Sequence, residues 1–525
     1  MKEQAPLDVQ LEALKDEQVY PFHMPGHKRR GLEEYLRSTG SADAADFRSE
    51  FDRILEMDIT EVDPFDDLNH PTGELKDALE RCAKLYGARE SFFLVNGSTC
   101  GICAAIDAVC RPGDEILIAR NSHISAYRQV VHGQLRPSYL YPQEIRVGDV
   151  TFYGAVSAQE LERGLQEHPE VKAVLVVSPT YDGVISDIAA LAQTVHAHGK
   201  VLIVDEAHGA HLNYIRPELS AVRAGADLVI QSTHKTLPAM TQTALLHRCS
   251  DRVGSDRLKE SVACFSSTSP SYILVASLLR CLRFMERHGE EAMRAFYARL
   301  EAFYKKCEDL SAVKLFGPFW GSEAPENANP GVWYKDPSKI VILCPKRGQD
   351  TAQILRDAGI ETEAATPDTV LALSSLFDRE EGFERLYRVL SGIGKREPVT
   401  TQIRTEEVPA NERAVQACMP WEAYYMRRTE GSEFTQPGSE GTLLGSAGLA
   451  EAPELMQLGS ESILLTQAVG RVSLDTVYVY PPGIPQIVCG EVITREVVEK
   501  LTDQQKSGFI LRGTAQKDRI TVLGK

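Results

Sequence analysis

Between about residues 90 and 250 the chain alternates short apolar runs with segments of helix length, and no other feature constrains its fold as strongly. The runs lie at residues 92–95, 115–118, 173–177, 201–204, 228–230 and 243–246. Their apolarity is continuous rather than alternating. That marks strands buried on both faces, as in a parallel sheet covered by helices. The expected class is α/β.

Beyond Pro270 the pattern shifts to long helices. Met293, Phe296, Leu300, Phe303 and Cys307 recur at three and four and define one apolar packing face. β-like runs at 340–343 and 370–373 then suggest a smaller α+β domain. The expected organisation is an N-terminal arm at 1–45, a large domain at 46–270, a small α+β domain at 271–395 and a C-terminal α+β domain at 396–525. Residues 429–462, rich in Gly, Ser, Glu and Ala, read as a flexible surface insertion in the last domain.

Composition narrows the function classes. A chain of 525 residues can bury a large core. With 57 Lys+Arg against 74 Asp+Glu the net charge is −17, which repels phosphate backbones and argues against a nucleic-acid partner. No apolar run approaches the ~18 residues a membrane span requires, so no membrane partner is expected. The N-terminus lacks a secretory layout. Eleven cysteines are too sparse for a disulfide framework, so reduced thiols in a cytoplasmic protein are expected.

Two apolar runs end in chemistry. Residues 201–204 lead into Asp205-Glu206-Ala207-His208-Gly209-Ala210-His211, and residues 228–230 lead into Gln231-Ser232-Thr233-His234-Lys235-Thr236. Ligands of open parallel sheets sit beyond the carboxyl ends of strands. The thirty residues from Asp205 to Lys235 suit one strand–helix–strand unit, which places both at one sheet edge. An acid and a lysine there meet the needs of pyridoxal 5'-phosphate: an amine to bind the aldehyde and a carboxylate to hold the ring nitrogen protonated. A surface salt bridge would use the same two residues.

Gly97-Ser98-Thr99 opens a helix after residues 92–95, an anion site suited to the cofactor phosphate or simply a helix cap. Ser232 and His234 add possible donors. His123, after residues 115–118, is placed to stack on the ring or to cap a helix. The acids and histidines at 205–211 do not follow a zinc-binding order, so no metal is expected. Cys100 and Cys103 suit packing one helical turn apart.

Together with Pro21-Phe22-His23-Met24-Pro25-Gly26-His27-Lys28, Asp58-Ile59-Thr60-Glu61, Thr268-Ser269-Pro270-Ser271-Tyr272 and Tyr480-Pro481-Pro482-Gly483-Ile484-Pro485, these motifs resemble the bacterial ornithine/lysine/arginine decarboxylases. The resemblance implies PLP fold type I, with a large domain carrying a mostly parallel sheet, a smaller α+β domain and a C-terminal α+β domain. It makes Lys235 the aldimine lysine, Asp205 the partner of the pyridine nitrogen and His123 the stacking residue. Gly97, Ser98, Thr99, Ser232 and His234 would hold the phosphate, with Ala207 and His208 flanking the ring. The chain resembles the short form without an N-terminal wing, in which the large decamers of the long form are not expected.

The implied reaction is decarboxylation of a basic amino acid, arginine, lysine or ornithine, to a polyamine-pathway amine. Glu491 is the candidate partner for the substrate's distal cation, with a solvated strand-edge glutamate as its alternative. A homodimer or higher homo-oligomer is expected. An aminotransferase or other lyase of the same fold, or a non-catalytic regulatory homologue, would share most of these residues.

Overall fold

A computed structural model describes residues 7–14, 52–62, 65–317, 334–394, 399, 403–429, 459–480, 483–506, 509–514, 516 and 518–524. The motif at 21–28, most of the arm and most of the insertion at 429–462 lie outside the described residues. In chain order, the elements that carry the site are β1 (Glu90–Leu94), α1 (Gly97–Val109), β2 (Glu115–Ala119), α2 (Ile124–His132), β3 (Arg136–Leu140), β4 (Ala173–Val177), β5 (Val201–Asp205), β6 (Leu228–Ser232), α3 (Thr233–Thr236), β7 (Ala244–Arg248) and α4 (Tyr272–Cys307). The class is mixed α/β with a mostly parallel central sheet, and each apolar run of the sequence falls in one of its strands.

Two compact units divide the chain. The first comprises residues 1–108 and 204–296, the second 109–203 and 297–525. In the first, β7 lies between β1 and β6. Here the structure departs from all-parallel pairing: β7 runs antiparallel to both β1 and β6. The cause is loop length. Residues 233–243 join β6 to β7, and a parallel return needs a crossover of a dozen residues or more. The short return leaves α3, with Lys235, standing directly at the end of β6.

Packing in this unit is close. A Cβ on Gly101 of α1 would lie 2.7 Å from Leu94 and 3.0 Å from Ile230, so α1 rests on the sheet with no room for a side chain. Helix α4 runs 36 residues. Its 3/4-spaced residues Met293, Phe296, Leu300, Phe303 and Cys307 are all buried, as the periodicity required.

In the second unit β2 pairs in parallel with β3 and β4. Its residues Ile116, Leu117 and Ile118 are wholly buried, the expected result of continuous apolarity. A four-stranded antiparallel sheet follows, built from β8 (Lys314–Phe316), β9 (Lys339–Leu343), β10 (Ala364–Ala365) and β11 (Thr369–Leu373) in the order β8-β9-β11-β10. The C-terminal strands β12 (Ser460–Leu464), β13 (Val477–Val479), β14 (Ile484–Ile487), β15 (Leu511–Arg512) and β16 (Arg519–Leu523) form a β14-β13-β15 sheet and a β12-β16 pair. Ile124, Tyr127 and Val131 of α2 pack with Cys418, Ala423, Met426, Leu474 and Val488, which seats the C-terminal segment on that helix. All eleven cysteines are free thiols. Among the described residues no helix is long and apolar enough to cross a membrane.

Candidate active site

Strand β5 delivers Asp205 and strand β6 delivers Ser232, after which the chain turns through α3. Both strands are buried almost throughout, so the polar residues at their ends are fixed by the apolar residues behind them. Asp205 is 5% exposed, and its Oδ1 accepts a hydrogen bond from Ala207 N at 3.1 Å. Burial pushes the carboxyl up, while the positive charge of Lys235 and the Ala207 N–H oppose that shift.

Lys235 Nζ lies 3.1 Å from His208 Nε2. The first unit therefore brings Asp205, Ala207, His208 and Lys235 into one electrostatic group, as the strand-end argument required. His234 turns its Nδ1 to the Thr243 carbonyl at 2.9 Å, so that nitrogen carries the proton. Burial holds its pKa down. In the neutral ring Nε2 is then an acceptor, and only the imidazolium would donate to a phosphate from that atom.

The anion end of the site has a built feature. Ser232 is 0% exposed, and its hydroxyl has no hydrogen-bond partner among the described residues. Such an orphan costs stability unless a ligand supplies the partner. The hydroxyl of Thr236, one turn on, is likewise buried without a partner. An anion with several acceptor oxygens is the chemistry these groups fit.

Gly97 has φ +78°, a conformation that favours glycine, and its N–H is engaged by the Gln242 carbonyl at 2.9 Å. The N–H groups that α1 can offer an anion therefore begin at Ser98 and Thr99, at the start of a 13-residue helix. Gln242, itself at φ 85°, also donates to the Val95 carbonyl at 2.7 Å and so clamps this turn. It lies 145 residues beyond Gly97, and no local motif marks it.

In the second unit His123 caps α2: its Nδ1 accepts from Ser125 N at 3.2 Å and meets Ser125 Oγ at 2.8 Å. Capping therefore uses Nδ1 and leaves the ring face and Nε2 to other contacts. Ile124 N donates to the Gly483 carbonyl at 2.9 Å, and a Cβ on Gly483 would stand 3.2 Å from the His123 ring. Gly483 thus packs against His123, and its positive φ permits the approach.

The alternative reading of Glu491 as a solvated strand-edge glutamate is corrected. Its carboxylate is buried, pairs with Arg120 at 3.0 Å and accepts from Val488 N at 2.8 Å. Arg120 also donates to the carbonyls of Pro485 at 2.7 Å and Gln486 at 3.3 Å. Burial opposes the guanidinium charge, but Glu491 together with Tyr127, Tyr139 and Tyr141 raises the Arg120 pKa well above its ordinary value. Both contacts of the Glu491 carboxylate fall on Oε2, while Oε1 is buried without a hydrogen-bond partner among the described residues. The evident work of this carboxylate is to fasten residues 483–491 to the loop that carries His123.

Glu491→Gln is therefore expected to leave the KM for basic amino acids unchanged while lowering unfolding stability by about 3 kcal/mol, the cost of stranding a buried charge. Chemical denaturation alongside initial-rate kinetics measures both. A severalfold rise in KM at unchanged stability would restore Glu491 to the substrate.

Comparison with known proteins places this arrangement. Residues 5–381 match the family model "Orn/Lys/Arg decarboxylase, major domain", and residues 450–507 match "Orn/Lys/Arg decarboxylase, C-terminal domain". The chain is 34% identical to the Uncharacterized protein YaaO of Bacillus subtilis, over 92% of this chain and 90% of that one. It is 28% identical to the Arginine decarboxylase of the same organism, over 97% and 95%. Among solved structures, the Francisella novicida lysine decarboxylase LdcF superposes with a TM-score of 0.79 at 20% identity, covering 99% of this chain and 81% of that one.

Proposed function

The chain belongs to the Orn/Lys/Arg decarboxylase family, and from that membership we propose that it removes the α-carboxyl group of a basic amino acid, with pyridoxal 5'-phosphate as cofactor. The observation that carries this reading is the strand-end group of the first unit: Asp205 under the charge of Lys235, Lys235 beside His208, and the orphaned Ser232 hydroxyl next to them.

Pyridoxal phosphate supplies an electron sink for the pair left when the bond from Cα to the carboxylate breaks. Asp205 would hold the proton on the ring nitrogen, where a buried carboxylate balances the ring's charge. Lys235 Nζ would be the amine that holds the cofactor and, later, the carrier of a proton to Cα. His208 Nε2 is positioned to exchange that proton with Nζ. Ser98, Thr99, Ser232 and His234 would hold the phosphate, with Gly97 shaping the turn and Ala207 lying against the ring. His123 would orient the ring by stacking.

Among the basic amino acids we assign arginine, because relatives aligned over nearly the whole chain bear the name Arginine decarboxylase. Agmatine, an amine of polyamine synthesis, is then the product, and a cytoplasmic homodimer is the expected working form. Release of carboxyl-labelled CO2 from arginine, lysine and ornithine tests the assignment. Arginine should exceed the others at least tenfold in kcat/KM. Keto-acid formation without CO2 would make the chain an aminotransferase instead.

A further inference from the structure

Behind Asp205 the first unit buries a chain of polar side chains that the decarboxylation chemistry does not use. Glu206, 1% exposed, accepts from Gln231 Nε2 at 2.6 Å and from Ser220 Oγ at 3.2 Å on one oxygen, and from Ala221 N at 2.7 Å on the other. Gln231 Oε1 faces His247 Nε2 at 3.3 Å, and His247 Nδ1 faces Ser91 Oγ at 2.8 Å. Gln231, Ser91 and His247 are all buried as well.

With Glu206 ionised, the polarity of this chain has one consistent assignment. Turning the Gln231 amide over would set its oxygen against the Glu206 carboxyl, so Nε2 donates to Glu206 and Oε1 accepts from His247. His247 then carries its proton on Nε2, and Nδ1 accepts from the Ser91 hydroxyl. Burial holds His247 neutral, with its pKa pushed down to about 3, as that tautomer requires. Burial also pushes Glu206 up to about 8 against its three donors. If Glu206 is protonated, its O–H can turn to Ser220 Oγ, and both oxygens still accept from Gln231 and Ala221.

The placement of the two ends gives the chain its meaning. Glu206 is the residue after Asp205, and Gln231 is the residue before Ser232 on the strand that leads into Lys235. Resting on the cofactor reading above, we propose that Glu206, through Gln231, is a positioning residue that holds the Asp205 strand end and the Lys235 strand end at a fixed separation for the reaction. The backbone supports the tie, since Glu206 N donates to the Ile230 carbonyl at 2.8 Å. What the link requires is two acceptor oxygens at position 206, one facing the amide donor at 231 and the other facing Ala221 N. An amide at 206 has one acceptor and sets a second NH2 group against a donor.

The test is a swap in the holoenzyme. Glu206→Gln is expected to lower kcat by roughly 10- to 100-fold at nearly unchanged KM, the penalty for misplacing reacting groups by a fraction of an ångström to about 1 Å. It should also shift the pH at which the visible band of the lysine-bound cofactor titrates. Gln231→Glu sets two carboxyl groups together and should lose more. The double variant Glu206→Gln/Gln231→Glu restores one donor facing one carboxylate, which also accepts from His247. It should return kcat and the spectral titration to within about fivefold and a few tenths of a pH unit of the wild type.

Ser91→Ala, at the far end of the chain, controls for general loosening and should leave kcat within threefold. Two results would overturn the proposal: a Glu206→Gln enzyme with wild-type kcat and titration, or a double variant no better than the worse single one. If a single variant fails to fold, the double variant still decides through its own kcat and titration. A wild-type protein with neither visible band nor CO2 release would instead reject the decarboxylase reading itself.

Discussion

Lys235→Ala is expected to reduce turnover by about 10⁴-fold or more and to abolish the visible band of the cofactor-bound protein. Nζ is the amine that stands beside His208 and within the field of Asp205. On the proposed mechanism its removal takes away both the cofactor's attachment and the proton carrier at Cα, so the loss exceeds that of any merely orienting group. The check is kcat with the wild-type substrate, with borohydride reduction and peptide mass analysis to locate the cofactor. Turnover within tenfold of the wild type, or a cofactor adduct on another lysine, would remove Lys235 from the mechanism.

Asp205→Asn is expected to lower kcat by about 10³-fold with little change in KM, in the range seen when a preorganised electrostatic partner is lost. The amide is close to isosteric and can still accept from Ala207 N, so the fold should survive. What it cannot do is balance a protonated ring nitrogen. On the proposed mechanism a cationic ring would favour the ionised form of this carboxyl, whose pKa burial raises. A kcat within a factor of five of the wild type would show that the ring nitrogen has another partner.

Much of this site was legible in the sequence because its logic is local. A run such as 201–204 is apolar on both faces, so it forms an interior strand, and the residue after it must emerge at the sheet edge. That reasoning placed Asp205 and Lys235 in one group. It also overlooked a length argument: residues 233–243 are too few for a parallel crossover, so β7 returns antiparallel. His123 had two readings, and the cap through Nδ1 on Ser125 is compatible with stacking of the ring face. Glu491 was read by its place after a turn, and its buried partner, Arg120, lies 371 residues earlier.

The sequence by itself determined the α/β class, the strands, the burial of the α4 stripe and the two strand ends that bear the reactive residues. Each of these follows from hydrophobic periodicity and chain length over a few tens of residues. Tertiary structure decided which buried polar groups face one another: Arg120 with Glu491, Gln242 with the Gly97 turn, Glu206 with Gln231 and His247. A buried charge or amide takes whichever partner the packed elements bring within about 3 Å. Separation along the chain carries no information about that choice, because the distances are set by the packing of apolar residues on the other faces of the same elements.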